Sequence, residues 1–186
     1  KGFSAGHNLK EIKSLKGKQE YNKLFNLCSK LMLEIIEGKK PVIAKVHGAA
    51  FAAGCQLVAS CDLAVSSDDS TFATPGVNIG LFCSTPMVAV SRKVSRKKTM
   101  KMILTGDPID AKYAKEIGLI NDHYPLSKLE DEVLKLAKKI ASKSDLTIKI
   151  GKKAFYKQLE MPLNKAYKYT SEVMTKNAMA LDAAEG

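Results

Sequence analysis

An α/β fold with a helical C-terminal half is predicted by two patterns in this 186-residue chain. Short β-branched runs alternate with helical stretches through the first half, the signature of strands covered by helices. From residue 97 onward, apolar residues recur at three- and four-residue steps, interrupted at Gly106, Gly118, Pro125 and Pro162. A hydrophobic content of 45% is enough to bury a sizeable core in one domain.

From Gln19 to Glu37, the residues Tyr21, Leu24, Phe25, Cys28, Leu31, Ile35 and Ile36 form one helical face, and Gly38 ends the helix. Pro41 leads into the buried strand Val42-Ile43-Ala44-Lys45-Val46, stopped by His47-Gly48. Small residues run from Ala49 to Gly54, and a helix is predicted to begin at Gln56-Leu57-Val58-Ala59. Leu63-Ala64-Val65 and Thr71-Phe72-Ala73 read as strands on either side of a polar turn at Ser66 to Ser70. Helices are predicted over 97–104, 110–117, 127–143, 145–158 and 163–183, with Asp110 and Ser127 as N-caps because their side-chain oxygens accept free helix N–H groups.

The net charge of +11 would attract polyanions, whether nucleic acid, an anionic membrane or a phosphorylated cofactor. The lysines are spread along helical segments (Lys97, Lys98, Lys101; Lys138, Lys139, Lys143; Lys149, Lys152, Lys153), as on a solvated surface. They lack the interleaved aromatic platform of a nucleic-acid binder. No run of 18 apolar residues occurs, so no membrane span and a soluble protein are expected. Cys28, Cys55, Cys61 and Cys83 show no C-x-x-C pair and no His at ligand spacing, so reduced thiols and no metal are expected.

Two segments carry the chemistry: Phe3-Ser4-Ala5-Gly6-His7-Asn8-Leu9 and Gly48 through Gln56. Each puts small residues where the chain turns into a helix, whose first N–H groups lack internal acceptors and welcome negative charge. Two such groups converging on a thioester oxygen would stabilise an enolate or tetrahedral oxyanion. Small-residue packing at strand–helix junctions explains the same composition.

The first segment resembles the crotonase (enoyl-CoA hydratase/isomerase) motif A-F-x-A-G-x-D followed by an aliphatic residue. Pro41 through Ala50, Ala53-Gly54-Cys55-Gln56-Leu57, Cys61-Asp62-Leu63-Ala64, Phe72-Ala73, Thr105 through Ala111 and Ala114 through Ile120 continue that family's pattern in order and spacing. The resemblance spans nearly the whole chain and lies nearest to members termed enoyl-CoA hydratase domain-containing proteins that lack two catalytic glutamates. It implies a ClpP/crotonase-like spiral of ββα units over residues 1–124 and a helical trimerisation region over 125–186, in a homotrimer or dimer of trimers. It further implies about sixty residues of the usual domain before Lys1 and a helical stretch after Gly186.

The ligand implied is an acyl-CoA thioester, with coenzyme A as part of the substrate and no tightly bound cofactor. The oxyanion donors carry over to the N–H groups of His7 and Ala53, and CoA contacts to Lys1, Phe3, Ala5, His7, Asn8, Leu9 and Lys10. Mitochondrial residence and fatty acid metabolism are family habits.

The sequence departs from the family where side chains do the chemistry. The two glutamates of family hydratases fall at Gln56 and Gly76, and the alternative acid of some relatives falls at Ser84. An amide holds water without accepting its proton, and each lost general acid–base group removes about 10²- to 10⁴-fold in rate. Substitute chemistry could come from His7, Cys83 or Ser84; equally, Cys83 reads as a small buried hydrophobe and His7 as a structural or CoA-contacting residue. Asp62 reads as structural, and His47 and His123 as structural or exposed. Three readings follow: an enzyme acting on an unusual acyl-CoA, a non-catalytic acyl-CoA binder that Gln56→Glu with Gly76→Glu would restore to hydration, and an RNA-binding homologue.

Overall fold

The computed structural model describes residues 2–180. Helix α1 (Leu9–Ser14) and the long α2 (Lys18–Glu37) precede β1 (Ile43–Val46) and β2 (Ala49–Phe51). Helix α3 (Ala53–Ser60), β3 (Leu63–Ser67) and β4 (Thr71–Ala73) follow, then a single-turn 3₁₀ helix at Pro75–Ile79. Helices α4 (Ser84–Val90) and α5 (Arg96–Thr105) lead to β5 (Ile109–Asp110), α6 (Ala111–Glu116) and β6 (Asp122–Tyr124). Helices α7 (Leu126–Ala141), α8 (Asp145–Leu159) and α9 (Leu163–Ala178) follow.

The described strands form two three-stranded sheets, in orders β1-β3-β6 and β2-β4-β5, between which the chain alternates from β1 to β4. Parallel pairing aligns Ile43 with Leu63 and Val46 with Ser66 in the first sheet, and Ala49 with Thr71 in the second. Only β4 and β5 run antiparallel. The pairs β1/β2 and β3/β4 each add one strand to each sheet, the spiral the resemblance implied, and β5 and β6, separated by α6, add the last strand to each. The core between these layers is built on Val46, Ala50, Cys55, Val58, Phe72, Val90 and Ala114, all at most 1% exposed. Helix α7 packs Leu129 and Val133 onto Val65 of β3, with Ile43, Tyr124 and Leu136 around them. Burying each such side chain stabilises the fold by about 1.5–3 kcal/mol.

Most predicted elements stand within two residues of their expected limits, and Gly38 and Asp110 cap as expected; the Asp110 carboxylate accepts from Tyr113 N at 2.7 Å. Helix α9 ends at Ala178, short of the expected limit at 183, and residues 181–183 of that expectation lie outside the described residues. Further features differ. The segment 49–51 is a strand, because small residues let it pair with β4 on one side and Ser4 on the other. Helix α3 begins at Ala53, three residues early, with Gln56 N donating to Ala52 O. Ser127 does not cap α7, which starts at Leu126 after Pro125, a residue whose fixed φ suits a helix start. Lys152, grouped with surface lysines, is 9% exposed. Its Nζ donates to Ile35 O, Lys40 O and Asp62 Oδ2 at 2.7, 2.9 and 2.7 Å, so all three ammonium protons are used.

Candidate functional site

The Ser4 segment lies alongside β2: Ser4 N donates to Ala49 O at 3.0 Å and Phe51 N donates to Ser4 O at 2.8 Å. That single parallel bridge brings the chain from Ser4 to His7 across the start of α3. Contact is so close that only glycine fits at two points. A Cβ on Gly54 would stand 2.3 Å from Ser4 O, and one on Gly6 would stand 3.0 Å from Ala52 Cβ and 3.1 Å from Ala53 N. Gly6 also takes a φ of +89°, which L residues rarely adopt.

Ala52, just before α3, has φ 50° and ψ −116°, the one positive φ outside glycine among the described residues. Such a conformation costs about 1–3 kcal/mol and persists where surroundings fix it. Here Ala52 N donates to Ala73 O at 2.9 Å, and Ala52 O accepts from Gln56 N at 3.0 Å. The strained turn aims the Ala53 N–H out of the helix, and neither that group nor the His7 N–H has an acceptor among the described residues. Each of the two small-residue turns thus carries one main-chain N–H without an acceptor among the described residues.

Beside His7 runs a groove of about 540 Å³, walled on α2 by Leu24, Leu27, Cys28 and Leu31, with Lys30 and Glu34. The His7 ring stands edge-on to Phe25 at 5.8 Å between centroids, and no carboxylate pairs with it among the described residues. Gln56 is buried, and its Oε1 accepts from Cys28 Sγ at 3.8 Å, a weak thiol bond. Burial pushes the Cys28 thiol above its ordinary pKa, so it stays protonated in neutral solution. The sequence placed Cys28 and Phe25 on the apolar face of a helix without seeing that this face lines the site; the three- and four-residue stripe was the available signal.

Gly76 is closed off. A Cβ there would lie 2.2 Å from Leu81 O and 2.9 Å from Cys83 Sγ, and Gly76 N donates to that sulfur at 3.3 Å. Cys83 is buried, and burial raises its thiol pKa, so it packs as a small hydrophobe and is no ready nucleophile. Ser84 is exposed and its hydroxyl donates to Phe82 O at 3.4 Å, not to a His or carboxylate. Restoring a glutamate at 76 therefore requires the 81–83 segment to move.

Around the first segment, Phe3 packs against the core, while Ala5, Leu9 and Lys10 are exposed. Lys1 lies outside the described residues. Asn8 caps α1, its Oδ1 accepting from Lys10 N at 3.0 Å and its Nδ2 donating to Glu11 at 3.2 Å. The amide thus does the capping work an aspartate would. Asp62 is structural, as expected: its carboxylate accepts from Val42 N, Lys152 Nζ and Tyr156 OH at 2.7, 2.7 and 3.0 Å. His123 pairs with Asp68 at 2.6 Å, far from the groove in sequence and joined to β3's end, and His47 is exposed.

The family model for enoyl-CoA hydratase/isomerase matches residues 1–186. The chain belongs to that family. This enoyl-CoA hydratase/isomerase family chain is 50% identical over 184 residues to human mitochondrial enoyl-CoA hydratase domain-containing protein 3, covering 99% of the chain and 61% of the relative. It is 33% identical to mitochondrial enoyl-CoA hydratase of Pongo abelii over 187 residues, covering 100% of the chain and 63% of the relative. Its fold matches the crystal structure of an enoyl-CoA hydratase of Mycobacterium smegmatis with a TM-score of 0.98 at 46% identity, covering 100% of this chain and 72% of that one. For the human domain-containing protein 3 crystal structure the TM-score is 0.96 at 50% identity, covering 99% and 73%. The family chain thus spans about three fifths of the length of the curated relatives it matches.

Proposed function

We propose that this family member binds an acyl-CoA thioester and polarises its carbonyl between the backbone N–H groups of His7 and Ala53. The observation that supports the proposal is the close approach of the two turns, where a Cβ on Gly6 would stand 3.1 Å from Ala53 N, together with an apolar groove bordered by His7. Main-chain donors held by a strained turn need no reorganisation when charge develops on an oxygen, which is the condition for stabilising a thioester enolate. The groove takes the acyl chain, and exposed Ala5, Asn8, Leu9 and Lys10 are the surface assigned to the coenzyme, with His7 and Phe3 behind them. Relatives named enoyl-CoA hydratase supply the substrate class.

Ordinary hydration of enoyl esters is not the activity we assign. Gln56 cannot accept a proton from water near pH 7, and Gly76 has neither a side chain nor room for one. That lack of room favours a second reading, a non-catalytic binder of acyl-CoA. Mitochondrial residence, expected from the family, agrees with the relatives' names. A trimer is part of the same proposal, with exposed Phe155, Leu159, Leu163 and Tyr167 as the apolar surface of the C-terminal helices that it would cover.

The deciding experiment compares butyryl-CoA with its S-butyl thioether, which lacks the carbonyl oxygen. Calorimetry should find the thioester bound at least about tenfold more tightly, the worth of one to two well-placed hydrogen bonds. Equal affinities would remove the oxyanion donors from the account. Crotonyl-CoA hydration measured alongside is expected at background level, and turnover within tenfold of ordinary hydratases would contradict the assignment.

A further inference from the structure

The substrate class can be narrowed from Gln56, an inference that rests on the thioester reading above. Gln56 lies three residues after Ala53 on α3, so the two share a face, and its side chain leans back toward the helix N-terminus. Three residues of helix rise about 4.5 Å, which puts the amide within reach of an acyl β-carbon when the carbonyl oxygen meets Ala53 N–H.

The amide's orientation follows from its neighbour. Cys28 holds its proton, and its Sγ donates to Gln56 Oε1 at 3.8 Å. A protonated thiol satisfies the carbonyl end, leaving the NH₂ end to meet a ligand. Among the described residues Gln56 Nε2 has no acceptor, although the residue is only 3% exposed. Among the described residues the side-chain atoms fully sealed without a partner are Ser66 Oγ and Thr74 Oγ1, and Nε2 is not one of them. A buried amide with unused donors favours a ligand that brings an acceptor oxygen to it.

We propose that Gln56, oriented by Cys28, is a specificity residue that donates Nε2–H to an acceptor oxygen on the acyl β-carbon. The site then selects thioesters carrying a carbonyl or carboxylate oxygen there over saturated chains of equal length. A glutamate at this position would accept protons; the amide reads oxygen instead. No bond is made or broken in this step, which concerns recognition alone.

Acetoacetyl-CoA and butyryl-CoA have the same four-carbon chain and differ at the third carbon, so the ratio of their dissociation constants isolates the contact. Calorimetry with the protein should find acetoacetyl-CoA bound about five- to tenfold more tightly. Gln56→Leu should bring that ratio to within about twofold of one. Gln56→Glu should invert it at pH 7.5, where a carboxylate faces an acceptor. Cys28→Ala frees the amide to rotate and should reduce the ratio about two- to threefold, a readout that survives if Gln56→Leu fails to fold. Malonyl-CoA set against butyryl-CoA separates a carboxylate from a ketone as the preferred acceptor. A wild-type ratio of one for both acceptor esters, or a ratio that survives Gln56→Leu, overturns the specificity role while leaving thioester binding intact. If neither acetoacetyl-CoA nor butyryl-CoA binds, the thioester reading falls and this role falls with it.

Discussion

Gly76→Ala tests the packing that separates this site from one with two carboxylates. The added Cβ would stand 2.2 Å from Leu81 O and 2.9 Å from Cys83 Sγ, where ordinary contact begins at 3.4 Å. The backbone at Leu81 must retreat by about 1 Å to restore normal separation. It is not free to do so, because Leu81 N donates to Gly76 O at 2.9 Å and Gly76 N donates to Cys83 Sγ at 3.3 Å. Overpacking a tight site costs about 1–3 kcal/mol, and weakening two turn bonds adds about 1 kcal/mol, so a loss near 3 kcal/mol is expected. Gly151→Ala is the internal control: it sits within α8 with nothing within 4 Å of the new Cβ, and should gain about 1 kcal/mol. Urea unfolding of both variants reads the difference. A Gly76→Ala midpoint equal to wild type, at unchanged slope, would show that the 76–83 segment yields easily and that a carboxylate could be housed there. The double variant Gln56→Glu with Gly76→Glu carries the same clash and is expected to leave crotonyl-CoA hydration at background.

The remaining predictions concern the scaffold. Lys152→Met leaves the largely buried Asp62 carboxylate without its cation and two carbonyls without a donor, and should cost about 3–5 kcal/mol in urea unfolding; a loss under 1 kcal/mol would mean the pair contributes little. Ala52→Gly relieves a φ of 50° and should stabilise by about 1 kcal/mol, whereas a lower midpoint would refute the strain. Burial raises Cys55 to about 12 and Cys61 to about 11, while unfolded thiols ionise near 8.5. The raised folded values mean that this contribution is complete below about pH 8.5 and is lost as pH rises through 11 and 12. Unfolding midpoints between pH 8 and 11 should therefore fall, less steeply in Cys61→Ala. Alkylation of the native protein at pH 8 should modify half-buried Cys28 before Cys55, and equal rates would argue against this packing.

The sequence made the framework readable because β1, β3 and β4 fall on short apolar runs bounded by turn residues and each long helix carries an apolar stripe. It hid the elements whose signals are weakest. Ala49–Phe51 is a strand through tertiary pairing with Thr71–Ala73 and Ser4, which no local propensity of alanine announces. Short α4, at Ser84–Val90, contains Pro86 in its first turn and carries too few residues for a periodic pattern. Lys152 looked like its neighbours Lys149 and Lys153 because charge reads as exposure until a buried carboxylate such as Asp62 is found opposite it. The two small-residue turns were visible as composition, yet their contact through Gly6 and Gly54 is a fact of three dimensions. The crowding at Gly76 was equally invisible, since it comes from Leu81 and Cys83 folding back over five to seven residues.

These observations divide the site into two parts that depend on different atoms. The donors we propose at His7 and Ala53 belong to the main chain, beside Gly6, Gly54 and the strained Ala52, none of which contributes a reactive side chain. Substitution of side chains at 56 and 76 therefore leaves the donors where they are. What changes is the chemistry around a bound oxygen: an amide and a closed loop stand where a hydratase needs proton carriers. Carbonyl recognition and proton transfer thus make separate predictions. Gly6→Ala, whose Cβ would press on Ala53 N at 3.1 Å, should weaken binding of butyryl-CoA but not of its S-butyl thioether. Gln56→Leu should change the discrimination between acyl groups while the preference for thioester over thioether persists. If both variants instead lowered both preferences together, carbonyl recognition would not reside in the backbone, and the division between main-chain donors and the Gln56 amide would have to be abandoned.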